Sequence, residues 1–190
     1  SGMHTNISLT RSGVNLFWDA NGEDHLSKQG WNFIDRILAN ANETCLIFNS
    51  SVNSYRRLDP HYEAPNQIKA SAINRGAMVR IPLGNEKSAR IEVRSIAPDA
   101  NPYMVLFSLL RTGLDGPLPA DTNKLRSGSN RFLPDSIYAA IDHTKKSTYV
   151  SELLGKVVLD KFIEVKQRQA DRCPKALGSR IKTSEIQFHH

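Results

Sequence analysis

The stretch ARIEVRS, residues 89–95, sets two guanidinium groups around one carboxylate. Side chains alternate across a strand, so Arg90, Glu92 and Arg94 share one face while Ala89, Ile91 and Val93 share the other. An exposed strand can carry such a ladder for solubility. The same groups can also do chemistry, because a carboxylate ligates a divalent cation and arginines hold phosphate oxygens bidentately. A second alternating stretch, MHTNISL, puts His4, Asn6 and Ser8 on one face opposite Met3, Thr5, Ile7 and Leu9. Arg75, Arg80 and Lys87 are spread over neighbouring strands and a turn, and Arg57 accompanies Glu63 in a Pro-bracketed loop. Each set alone reads as ordinary surface. If the strands are neighbours, one sheet face collects His4, Glu92 and several of Arg75, Arg80, Arg90 and Arg94. That collection suits a cation and a moving phosphoryl group. No Walker loop, kinase glycine loop, G-x-S-x-G or Cys–His pair is present. A nucleotide would therefore be held by side chains and metal ions.

The elements that must position these groups follow from pattern. MHTNISL, IKASAIN, AMVRIP and ARIEVR read as strands, with RSGVN and LGNEKS as turns and Gly76 as a turn or bulge. A helix is expected from Ser27, with Trp31, Ile34, Ile37 and Leu38 on its apolar face and ANANE as its end. NSYRRLDPHYEAPN reads as a loop, bracketed by Pro60 and Pro65. A further helix begins after Asn101, with Pro102 at its first position and Gly113 or Gly116 as its stop. Met104, Phe107 and Leu109 or Leu110 are expected to form its buried stripe. Residues 117–134 read as a surface excursion, followed by a short helix in LPDSIYAAIDHT. One long helix is expected from Ser147 to Pro174, with Val150, Leu153, Leu154, Val157, Val158 and Ile163 as its apolar face. Strands grouped before helices point to an α+β fold, an antiparallel sheet with helices packed on one face.

The 190 residues can bury a real core, and a composition 39% hydrophobic and 23% charged is that of a globular protein. No apolar run approaches a membrane span, and no signal peptide opens the chain, so no membrane partner and a cytoplasmic location are expected. Cys45 and Cys173 provide neither a disulfide framework nor metal-ligand spacing. The net charge of +6 comes from basic residues scattered singly. They favour small anions over a polynucleotide, and nucleic acid is not expected as a partner.

SGMHTNISL, NSYRRLDPHYEAP, INRGAMVRIP, KSARIEVRS and ANPYMVLFSLLRTGLDG occur in this order. Together they resemble the C-terminal half of the glutamine synthetase catalytic domain, densely over residues 1–116 and more generally beyond. The resemblance implies a domain portion covering 1–190, with core motifs in 1–116, the excursion in 117–134 and a helical part in 135–190. It implies ATP-dependent ligation of ammonia to the γ-carboxylate of glutamate through γ-glutamyl phosphate. By this resemblance His4 and Glu92 are ligands of Mg²⁺ or Mn²⁺, and Arg57 and Arg94 hold glutamate. Glu63 is a flap carboxylate that covers the site and takes a proton from ammonium. Arg75 is catalytic and, with Arg80 and Lys87, contacts ATP phosphates and the phosphorylated intermediate. Arg90, Ser8 and Asn6 complete the nucleotide-contacting set. The family assembles as a homo-oligomeric ring, a dodecamer, with sites between adjacent subunits.

The chain also departs from the family. Many bacterial members have a second histidine where Asn6 stands, and Ala97 replaces a common acidic residue. Arg131 and Phe132 occupy the place of a regulatory tyrosine, so control by adenylylation is not expected. The chain opens after an Asn-Gly pair, a small N-terminal domain and upstream metal-binding glutamates that family members carry. A fragment that is inactive alone is therefore expected. Two alternatives stay open at this point: a ligase for a polyamine or monoamine, and a non-catalytic ring-forming relative.

Overall fold

The computed structural model describes residues 2–59, 64–127 and 131–172, without the side chains of Lys124 and Ser127. Glu63 and Cys173, together with the expected helix end at Pro174, lie outside the described residues.

Strand β1 (Thr5–Ile7) opens the chain, followed by a small ribbon of β2 (Thr10–Arg11) and β3 (Val14–Asn15). Helix α1 (Lys28–Ala39) starts where Ser27 accepts a hydrogen bond from the Gly30 amide, the usual use of a serine N-cap. Trp31, Ile34, Ile37 and Leu38 are buried, as their spacing requires.

ANANE ends α1 as expected, but a second helix follows at once. The Asn40 side-chain amide donates to the carbonyls of Arg36 and Pro117, at 2.8 and 3.0 Å. This closes α1, and α2 (Ala41–Phe48) begins at the next residue. Its Thr44, Cys45, Leu46, Ile47 and Phe48 are all buried. A short helix buried everywhere but at Asn42 and Glu43 shows little amphipathic period to read.

The expected loop at 53–66 also begins helically. Helix α3 (Val52–Arg57) is nucleated by a reciprocal cap between Ser51 and Ser54. The nearby prolines mask that signal in the sequence.

Strands β4 (Gln67–Ser71), β5 (Ala77–Arg80) and β6 (Ile91–Val93) join β1 in one sheet ordered β1-β6-β5-β4. β6 pairs antiparallel with both neighbours, opposing Asn6 to Glu92 on one side and Arg80 to Glu92 on the other. β4 and β5 instead run parallel, with a bulge between Gln67 and Ala70. Parallel neighbours generally need a long crossover. Here the strands are short, and residues 72–76 return the chain over only about 13 Å. Ser71 Oγ accepts from the Ile73 and Asn74 amides, and Asn74 Oδ1 accepts from the Gly76 amide, holding this connector in turns.

Helix α4 (Pro102–Asp115) is capped as the sequence indicates, with Asn101 Oδ1 accepting from the amides of Tyr103 and Met104 and Gly116 at the far end. Its buried stripe agrees with expectation at Leu109 and at the half-buried Met104, and differs elsewhere. Val105 and Leu109 are buried, whereas Phe107 and Leu110 are exposed, because the helix turns the Val105–Leu109 stripe, with Ser108 and Thr112, inward.

The excursion carries α5 (Asn123–Ser127), whose Arg126 forks onto the fully buried Asp35 of α1. Helix α6 (Ile137–Lys146) follows. The expected single final helix is two, α7 (Thr148–Leu154) and α8 (Lys156–Asp171). Gly155 breaks them with φ 77° and ψ 143°, a conformation that favours glycine. Beyond the break Val157 and Val158 are exposed, while Val150 stays in the core.

The α+β class holds. Ile7, Ile91 and Val93 beneath the sheet join Ile34, Leu38, Phe48 and Leu109 in one core, leaving the other sheet face for polar groups.

Candidate active site

Alternation along β6 decides which side chains meet. Ala89, Ile91 and Val93 are buried, which forces Arg90, Glu92 and Arg94 onto the opposite face. β1 repeats the arrangement, with Ile7 inward and Asn6 outward. His4, one residue before β1, lies on the same side: its Nδ1 is 2.8 Å from Glu92 Oε1. The other carboxylate oxygen accepts from Arg80 Nη1 at 3.1 Å. Glu92 is only 8% exposed, so its carboxylate is held by these partners and not by bulk water.

His4, Arg75, Arg80, Glu92 and Arg94 line a cleft of about 510 Å³ together with Ala72, Ile73 and Asn74. The fit to a divalent cation can be judged from the first pair. Two ligands adjacent on an octahedron with bonds of about 2.1 Å lie about 3.0 Å apart. His4 Nδ1 and Glu92 Oε1 are 2.8 Å apart, the distance of a direct ion pair or hydrogen bond and also close to that edge. An imidazole nitrogen and a carboxylate oxygen are suitable donors. Among the described residues no group of three or more His, Cys, Asp and Glu side chains gathers, so this pair provides two ligands.

The remaining candidates occupy separate places. Arg90 donates through Nε to Asn6 Oδ1 at 3.0 Å and through Nη1 to the Ser88 carbonyl at 3.1 Å, on the same sheet face but beyond the cleft. Ser8 is exposed past the end of β1. Lys87 is exposed in the turn that Asn85 Oδ1 organises by accepting from the Lys87 and Ser88 amides. Arg57 does not line the cleft. Its guanidinium donates through Nη1 to the Arg94 carbonyl at 3.4 Å and through Nη2 to the Ser95 carbonyl. Burial pulls its pKa below the ordinary guanidinium value, against the opposing attraction of Asp99. Arg94 in turn donates through Nη1 to the Arg75 carbonyl at 2.6 Å.

Ala72, Ile73 and Asn74, expected as strand, are cleft wall. The spacing of Ser71, Asn74 and Gly76 is the available signal, since serine and asparagine side chains build turns by accepting nearby backbone amides. What the cleft can do follows from its charges. Among the described residues of the cleft lining, the guanidinium groups of Arg75, Arg80 and Arg94 stand with the carboxylate of Glu92, and guanidinium groups are suited to holding anions. The His4–Glu92 pair offers a place for a cation beside them.

Comparison with known proteins agrees with this arrangement. The profile of the glutamine synthetase catalytic domain matches residues 1–183. The chain is 37% identical over 185 residues to the glutamine synthetase of Thermus thermophilus, covering 90% of this chain and 42% of that protein. The glutamine synthetase of Staphylococcus aureus strain MRSA252 is similar to the same extent. The chain thus spans 42% of the length of these curated relatives. A match running through every strand and helix that shapes the cleft places this chain in the glutamine synthetase catalytic-domain family.

Proposed function

We propose that the protein to which this chain contributes ligates ammonia to the γ-carboxylate of glutamate, using ATP and passing through γ-glutamyl phosphate. The observation that carries this reading is the convergence of His4, Glu92, Arg75, Arg80 and Arg94 on one cleft, in a member of this family.

His4 and Glu92 would hold Mg²⁺ or Mn²⁺, which when bound neutralises phosphate charge and draws electrons from the transferring phosphorus. Arg75 and Arg80 stand where they can grip phosphate oxygens, stabilising charge that builds during transfer. Arg94, with Arg57 behind it, faces the carboxylates of glutamate. Asn6 and Arg90 on the same sheet face, with Ser8 past the end of β1 and Lys87 in the Asn85 turn, are assigned to the nucleotide. A glutamate γ-oxygen attacks the terminal phosphorus and ADP leaves; ammonia then attacks the acyl carbon and phosphate leaves. Glu63 is assigned removal of the proton from ammonium and exclusion of water, which would otherwise hydrolyse the acyl phosphate.

The proposal extends to a homo-oligomeric ring, a dodecamer, and to the division into 1–116, 117–134 and 135–190. The 190 residues alone are expected to turn over no substrate, since Mg²⁺ seeks six oxygen-rich positions and the pair described here fills two. No described helix is long and apolar enough to cross a membrane.

The test is an assay of the full-length protein with glutamate, Mg-ATP and ammonium, alongside a panel of monoamines and polyamines, reading phosphate release and amide formation. Glutamine formation with ammonium is expected. Product with an amine alone transfers the assignment to a γ-glutamyl-amine ligase, and no product with any acceptor defeats the ligase reading.

A further inference from the structure

Three contacts form a chain running from α3 to the mouth of the cleft. Arg57 donates to the carbonyls of Arg94 and Ser95 at the end of β6, and Arg94 donates to the carbonyl of Arg75 in the 72–76 connector. Each link is a guanidinium on a backbone oxygen, so each fixes main chain and not only a side chain. The link from Arg94 sets where Arg75 and Asn74 stand relative to Glu92.

The link from Arg57 passes beside the start of the chain. A Cβ built on Gly2 would lie 2.8 Å from Arg57 Nη1 and 3.3 Å from the Arg94 carbonyl oxygen. The closer distance is one that real Cβ atoms essentially never show, and the atom it meets is the movable end of a side chain. A side chain at position 2 would therefore be relieved by displacing the guanidinium, the group that holds β6. The backbone here has its own anchor, the Met3 amide donating to the Ile96 carbonyl at 2.9 Å, so residue 2 cannot easily retreat.

We propose that Gly2 is a positioning residue: its missing side chain leaves the slot through which Arg57 reaches the Arg94 and Ser95 carbonyls, and through Arg94 this sets the 72–76 connector. The relay stands on the geometry alone; its consequence for catalysis rests on the ligase reading above. In that reading Arg94 faces glutamate with Arg57 behind it, so a displaced Arg57 weakens glutamate binding through Arg94 and leaves the nucleotide residues Lys87, Arg90 and Ser8 untouched.

The relay is tested on the 190-residue chain by hydrogen–deuterium exchange of peptides spanning 74–78 and 94–97, comparing Gly2→Ala with the unmodified chain. Loss of a hydrogen bond from a charged donor should speed exchange there about tenfold. In an Arg57→Gln background the same Gly2→Ala change should add nothing, because the two act through one contact. Unchanged exchange, or an equal effect in both backgrounds, overturns the proposal. Should Gly2→Ala fail to fold, Arg57→Lys keeps the charge and loses the fork, and must give the same acceleration for the relay to stand. In the full-length protein, Gly2→Ala is expected to raise KM for glutamate about tenfold with KM for ATP unchanged. Equal glutamate KM in an active enzyme refutes the catalytic consequence. An inactive unmodified enzyme counts against the ligase reading alone, and the exchange result still decides the relay.

Discussion

His4 Nδ1 and Glu92 Oε1 lie 2.8 Å apart, brought together by the antiparallel pairing of β1 with β6. In the cleft this brings an imidazole nitrogen against one carboxylate oxygen, and Arg80 holds the other; the proposed function uses the pair to hold a divalent cation. Replacing Glu92 by glutamine keeps the shape and removes the charge. In the full-length protein this should lower kcat by on the order of 10²-fold, as loss of an aligned electrostatic group does. Mn²⁺ binding followed by electron paramagnetic resonance should weaken in parallel. Chelation should abolish activity and added Mg²⁺ or Mn²⁺ restore it; a Glu92→Gln enzyme with unaltered metal affinity would remove the pair from the site.

Asp35 and Arg126 tie the 117–134 excursion to α1. Arg126 donates through Nε and Nη2 to the two oxygens of Asp35, at 2.9 and 2.6 Å, and its guanidinium lies 4.2 Å from the Trp31 ring centre. Asp35 is fully buried, so deleting the cation strands a carboxylate in the core. Arg126→Ala should cost about 3 kcal/mol in urea unfolding, at the low end for a buried pair because the arginine is partly exposed. The double variant with Asp35→Leu should recover part of that loss. Additive losses would mean that the pair does not act as a unit.

Cys45 gives a pH-dependent signature. Burial pushes its thiol up to about 12 from an ordinary value of 9.0, and it lies beside Tyr55, whose hydroxyl burial also pushes upward. A raised pKa means that the folded state favours the neutral thiol. The associated stability is complete below pH 9 and is lost as pH climbs towards 12. Cys45→Ala should flatten the fall in stability over that window, read from urea midpoints at successive pH values. In a Cys173→Ser background, Cys45 should resist a thiol reagent at about pH 8 until denaturant is added. Rapid labelling of the folded chain would contradict its burial.

Gly155 separates α7 from α8 with positive φ, and a methyl group added there would meet no atom within 4 Å. Space is therefore not the constraint; backbone conformation is. Gly155→Ala should destabilise by about 1–2 kcal/mol through strain, against a small gain in helix propensity. Urea unfolding of the two chains measures the difference. A stabilised variant would indicate that the two helices fuse, with Val157 and Val158 changing their exposure as a continuous helix requires.

Alternation in ARIEVRS and MHTNISL by itself determined which residues face the site, because a strand has only two sides and Ile91, Val93 and Ile7 must take the buried one. The helix starts at Ser27 and Asn101 were equally legible, since the signals that start a helix act within a few residues. Tertiary structure alone decided the rest. Which strands are neighbours depends on pairing between residues 5–7 and 91–93, a separation at which local pattern carries no information. The parallel return of 72–76 into the cleft wall, the slot at Gly2 and the inward stripe of α4 likewise depend on what packs opposite. Short-range sterics and periodicity act along the chain, but contacts between distant segments exist only once the core has chosen its partners.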